Sequence, residues 1–99
     1  MGYFVYKLIP PRPTFAQDMT EAEAELMRAH GAYWSELAAK RIAVVFGPVL
    51  DPKGAWGLAV AEVQDEAGAR ALGANDPTIT SGVGFRFEIY PMAQAVVRG

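Results

Sequence analysis

Residues 20–41 read TEAEAELMRAHGAYWSELAAKR and contain His30, the only histidine in the 99-residue chain. The pattern predicts one amphipathic helix. Thr20 is suited to cap it, and Glu23 stands three residues on, the spacing of a capping box. Glu21, Glu23 and Glu25 crowd the start, where the helix dipole favours negative charge, and Lys40 and Arg41 close the end, where it favours positive charge. Glu36 and Lys40 lie four apart in the favourable order.

Apolar positions recur along this stretch at helical spacing. Ala22, Leu26, Ala29, Tyr33 and Leu37 form one stripe, and Met27, His30 and Trp34 a second row beside it. His30 therefore falls at the margin of the buried face. Burial there disfavours a charged imidazolium, whereas a neutral ring with one partner fits. Gly31 costs about 1 kcal/mol against alanine within a helix. It marks either a close approach to the backbone or an unconstrained exposed position.

Working outward, residues 2–9 read GYFVYKLI, a strand with Phe4, Tyr6 and Leu8 on one face and Tyr3, Val5, Lys7 and Ile9 on the other. Pro10, Pro11 and Pro13 end it. Arg12, held among them, either reaches over a pocket mouth or is solvated. After the helix, residues 41–50 (RIAVVFGPVL) form a second strand, which Gly47-Pro48 marks as an edge or bulged strand. Asp51-Pro52-Lys53-Gly54 is a turn signal. Residues 55–63 (AWGLAVAEV) form a third strand, with small residues Ala55, Gly57, Ala59 and Ala61 on one face, so strands two and three make a hairpin. Asp65 caps a short helix at 66–74, with Asn75 as a left-handed C-cap and Pro77 ending the element. Residues 83–90 (VGFRFEIY) alternate, with Val83, Phe85, Phe87 and Ile89 inward and Arg86 and Glu88 outward, as at a sheet edge. Residues 91–99 form a tail whose Val96 and Val97 are apolar enough to dock.

The order β-α-β-β-α-β is that of the ferredoxin-like α+β sandwich, with strands ordered 4-1-3-2 and both helices on one face. Two helices cover one side of such a sheet. Strands one, two and three are apolar on both sides, so the open side needs a partner. A second copy of the chain is the simplest, and the expectation is a homodimer with the sheets face to face.

Ninety-nine residues allow one domain spanning 1–99. With 52% hydrophobic and 20% charged residues the chain is not disordered. No apolar run suggests a membrane span or a signal peptide, which makes the cytoplasm the default location. The net charge of −2 without a basic stripe gives nucleic-acid binding no support. One histidine and no cysteine argue against a transition-metal site and exclude thiol chemistry. The carboxylates show no converging magnesium set. No cofactor is expected.

Several short features line up on this frame. They are His30 with Tyr33 and Leu37, Phe46-Gly47-Pro48, Asp51 with Gly54, Asn75-Asp76-Pro77, Gly82-Val83, and Glu88-Ile89-Tyr90-Pro91. In this order and spacing the chain resembles the YCII-related family of small dimeric α+β-barrel proteins over nearly its whole length. The resemblance implies a histidine on the first helix paired with a nearby aspartate as an acid–base dyad. His30 matches the histidine, Asp76 is the favoured aspartate and Asp51 the fallback. Some members look like enzymes acting on chlorinated hydroxyquinones, and others resemble muconolactone isomerases in fold. The chain departs from the family at Thr78, where an aromatic often follows Asp-Pro, and in its proline-rich 10–13 segment. Both departures bear on the pocket.

A carboxylate partner fixes the tautomer of a histidine and stabilises the imidazolium. The second ring nitrogen then serves as general base or acid. Proton abstraction beside a carbonyl, lactone isomerisation and halide elimination lie within its reach. No serine, cysteine or lysine stands out as a nucleophile. Tyr33, Trp34 and Trp56 could line a pocket for a ring-shaped ligand, with Asp51 and Arg12 as further contacts. Each of these residues also has a plain structural reading: a buried histidine donating to a carbonyl, an Asx turn at Asp76, core aromatics. Three functions therefore stand: a cofactor-free lyase, isomerase or dehydrochlorinase using His30 and Asp76, a non-catalytic ligand-binding or accessory module, and a purely structural dimer.

Overall fold

The computed structural model describes residues Met1 to Gly99. The elements are β1 (Gly2–Ile9), α1 (Phe15–Asp18), α2 (Glu21–Ala39), β2 (Ala43–Val49), β3 (Trp56–Val63), α3 (Glu66–Ala74), α4 (Pro77–Thr80) and β4 (Arg86–Pro91). The four strands form one antiparallel sheet in the order β2-β3-β1-β4. This is the 4-1-3-2 order expected from the sequence, and β2 and β4 are the edges.

The register explains the two faces. Phe46, Ala59, Tyr6 and Ile89 lie in one row across the sheet, and Pro48, Gly57, Leu8 and Phe87 in another. These rows face the helices. Phe4, Tyr6, Leu8, Ala59, Ala61 and Ile89 make the core with Trp34 and Leu37 of α2 and Ala69 of α3. The alanines of β3 let the helices approach closely. Val45, Val60, Val5 and Tyr90 form a row on the opposite face, with Val45 and Tyr90 exposed.

The start of α2 follows its sequence. Glu23 N donates to Thr20 Oγ1 at 3.1 Å and Thr20 N to Glu23 Oε1 at 2.8 Å, closing the capping box. Lys40 pairs with Glu36 at 3.1 Å. At the other end Arg41 N donates to Ala38 O and Ile42 N to Leu37 O. This is a Schellman motif in which Arg41, at φ 64°, occupies the left-handed position usually held by glycine. The buried face is rotated from the expected stripe. Ala22 and Ala29 are exposed, and the row Met27, His30, Trp34 and Leu37 points inward, because the large aromatic claims the core.

Other expectations are corrected. Asn75 is not left-handed but right-handed helical, at φ −94°. Pro77 does end α3 but also begins α4, where a missing N–H costs nothing. Gly47-Pro48 lies in the edge strand β2, one of the two positions expected for it, while the register irregularity of that strand falls between Ala43 and Val45. Val83 lies before β4 and is 51% exposed, and Val96 and Val97 are exposed in this single chain.

Candidate active site

Asp76 takes an extended conformation ahead of Pro77 (φ −61°, ψ 132°) and caps α4. Its Oδ1 accepts from Thr78 N at 2.9 Å and Thr78 Oγ1 at 2.7 Å. This local bracket turns Oδ2 into the protein. There it accepts from His30 Nδ1 at 2.8 Å, Trp34 Nε1 at 2.8 Å and Tyr6 Oη at 3.1 Å. His30 and Trp34 are one helical turn apart, so both rings hang from the same side of α2 and reach one oxygen. The Asp76 side chain is 0% exposed and that of His30 14%.

Burial pushes the Asp76 carboxyl up. The bonds and charge of His30, with the bonds of Trp34 and Thr78, more than reverse this and hold it below the usual aspartate range. Burial and the Asp76 charge raise the Tyr6 hydroxyl far above its ordinary value, so it stays a donor. Since a carboxylate only accepts, His30 Nδ1 carries the proton toward Asp76, and in the neutral ring Nε2 is the nitrogen with the lone pair. Nε2 has no protein partner, yet no buried side-chain nitrogen or oxygen is left unpaired. Nε2 is therefore open.

His30 borders a cavity of about 360 Å³ and is the only ionisable residue lining it. Leu8 and Gly57 contribute from the sheet, Phe46 and Pro48 from β2, and Met27 and Gly31 from α2. Phe15, Ala16 and Met19 contribute from the segment after the prolines, and Phe15 meets Phe85 edge-on at 5.1 Å. Arg12 fastens this segment: it bonds Asp18 Oδ1 at 2.8 Å and Glu23 Oε1 and Oε2 at 2.8 and 2.9 Å, and lies over the Phe15 ring. Arg12, then the Thr20 amide, holds the Glu23 carboxyl down to about 2. Gly54, at φ 135°, packs where a Cβ would lie 2.9 Å from Pro13 O, so the hairpin turn seats the proline segment.

The structure thus brings His30 and Asp76 together and leaves Asp51 apart. Asp51 accepts from Lys53 N at 2.8 Å and Trp56 Nε1 at 3.2 Å in the hairpin turn. Trp56 borders the cavity, whereas Tyr33 and Trp34 do not. Tyr33 donates to Leu72 O at 2.6 Å, and Trp34 is core. Arg12 lines a separate cleft beside Lys7 and Lys53 and is neither free nor in the His30 cavity. Thr78 lies outside the cavity too; its hydroxyl serves Asp76. Sequence reasoning missed Phe15, Met19, Phe46 and Phe85 as walls. Only the proline-rich departure pointed toward the first two.

The profile of the YCII-related domain family matches residues 3–93. The chain belongs to this family. Among solved structures it is similar to the 5-chloro-2-hydroxyhydroquinone dehydrochlorinase TftG of Burkholderia phenoliruptrix, determined with 2,5-dihydroxybenzoquinone. That likeness has 22% identity and a TM-score of 0.59, covering 89% of this chain and 91% of the other. An uncharacterized protein of Thermotoga maritima is similar at 8% identity and a TM-score of 0.49, covering 91% and 94%. No curated protein matches the sequence. For this YCII-related chain the structural likeness establishes the shared fold. No helix is long and apolar enough to cross a membrane.

Proposed function

We propose that the protein is a small cofactor-free enzyme that uses His30 as general base and acid on a small carbonyl-containing or aromatic metabolite. The observation that carries this reading is the open Nε2 of His30, whose Nδ1 is fixed at 2.8 Å by a fully buried carboxylate. Nε2 takes a proton from carbon beside a carbonyl, and the bonding electrons pass into the carbonyl to give an enolate. Asp76 stays ionised and stabilises the imidazolium. The proton then returns to another carbon, which isomerises the substrate. Alternatively the enolate electrons expel a leaving group such as chloride, which departs with its electron pair. Asp76 does not border the cavity, so it is a positioning residue and His30 alone meets substrate. The contribution of such a base is about 10²–10⁴-fold.

The test is solvent deuterium wash-in. Small ring ketones and hydroxyquinones incubated in D2O gain deuterium beside the carbonyl with the wild type and not with His30→Gln. Equal wash-in by both proteins would sink the proposal. One observation favours a second reading, a ligand-binding or accessory module: the cavity offers no second ionisable group to share the proton work. Such a module would bind these compounds and return them unlabelled.

We also propose that two copies pair through the open sheet face. The apolar row Val45, Val60, Val5 and Tyr90 supports this. Sedimentation at micromolar concentration that shows only monomer would refute it.

A further inference from the structure

We infer that the His30 cavity selects a compact, uncharged ligand, and that Gly31 is the residue that sets its size limit. The inference rests on the acid–base site only for the location of the cavity.

Gly31 sits inside α2, where a glycine weakens a helix more than any residue but proline. Two structural reasons usually keep a glycine in such a place, and neither holds. Its φ is not positive, so the backbone does not require it. Nothing lies within 4 Å of where its Cβ would stand, so no neighbour packs against the bare backbone. The contrast within the chain is plain: a Cβ on Gly73 would meet the Phe87 ring at 2.5 Å, and one on Gly57 would press on Leu8 Cβ at 3.2 Å. What Gly31 does border is the cavity, immediately beside His30. Its missing side chain leaves that part of the cavity wall bare.

The charge of the ligand follows from the same walls. His30 is the only ionisable lining residue, and its Nδ1 side already faces the ionised Asp76. Arg12, which lies over the Phe15 wall, is committed to Asp18 and Glu23. A ligand that arrives with a negative charge would lose hydration in a cavity whose lining carries no lysine or arginine. A neutral one would acquire charge only as the imidazolium forms beside it.

Acetophenone and benzoate test this directly. They share a phenyl ring and carbonyl and differ by a methyl group against a charged oxygen. Binding to the intact protein at about pH 8 is followed by amide chemical shifts in wild type, Gly31→Ala and Gly31→Leu. Wild type is expected to bind acetophenone at least about tenfold more tightly than benzoate. Gly31→Leu is expected to lose about tenfold or more for acetophenone, the scale of a misplaced methylene group in an apolar pocket. The thermal midpoint of Gly31→Ala should rise by several degrees. Benzoate binding as tightly as acetophenone, no acetophenone binding, or unchanged affinity in Gly31→Leu would each overturn the inference. So would a lowered midpoint in Gly31→Ala, which would make the glycine structural. Deuterium in the acetophenone methyl group reports separately on His30. Tight binding without exchange would end the acid–base reading and leave the selection intact.

Discussion

Trp34 Nε1 and His30 Nδ1 each end 2.8 Å from the same atom, Asp76 Oδ2. The indole is a donor that never titrates, so it holds the carboxylate in place whichever form the imidazole takes. The arrangement separates two tasks: Trp34 and Thr78 hold the carboxylate, and the carboxylate holds the histidine.

Asp76→Asn should cost about 3 kcal/mol of stability, since an amide nitrogen would face donors that now meet a carboxylate. Urea unfolding at neutral pH measures this.

The depressed Asp76 carboxyl gives a signed pH effect. Its stabilisation is fully present above the ordinary aspartate value of about 3.9 and is lost as pH falls through the lower folded value. Wild type should therefore lose part of its stability below about pH 4, and that part should be absent from Asp76→Asn. Parallel acid profiles for the two proteins would contradict the ionised, bonded carboxylate.

Neutral His30 should be the Nδ1-protonated tautomer. Nitrogen shifts of the single imidazole in wild-type protein report this without assignment ambiguity. A predominant Nε2-protonated ring would mean that Nδ1 does not donate to Asp76.

Arg41→Gly should raise stability by about 1 kcal/mol, because the left-handed conformation at φ 64° costs an L-residue roughly that much. Gly73→Ala should do the reverse, by about 1–3 kcal/mol, through the collision with Phe87. Thermal denaturation of the two variants beside wild type checks both signs.

Much of the fold was legible because its signals are local. The capping box at Thr20 and Glu23, the aromatic and β-branched run of β1 and the Asp76-Pro77 step each depend on residues a few positions apart. The pairing of His30 with Asp76 was legible only through family resemblance, since the residues stand 46 apart. The cavity was largely illegible. Its roof comes from α1, a four-residue turn with no periodicity to read. The aromatics that looked like pocket walls, Tyr33 and Trp34, were drawn into a bond to Leu72 and into the core. The Thr78 departure could not be interpreted from sequence because its consequence is a hydrogen bond made two residues back.

The donors that meet at Asp76 come from distant parts of the chain. Tyr6 is 70 residues away in sequence, Trp34 42 and Thr78 only two. No short segment can assemble this centre. The Thr78 bracket can form locally, but the rest must wait until β1 and α2 have closed long loops, which is the slow part of folding for such contacts. A refolding chain should regain helical ellipticity before its imidazole reports a partner. Chemistry at His30 is then withheld from incompletely folded molecules, and recovered activity becomes a stricter measure of refolding than recovered secondary structure.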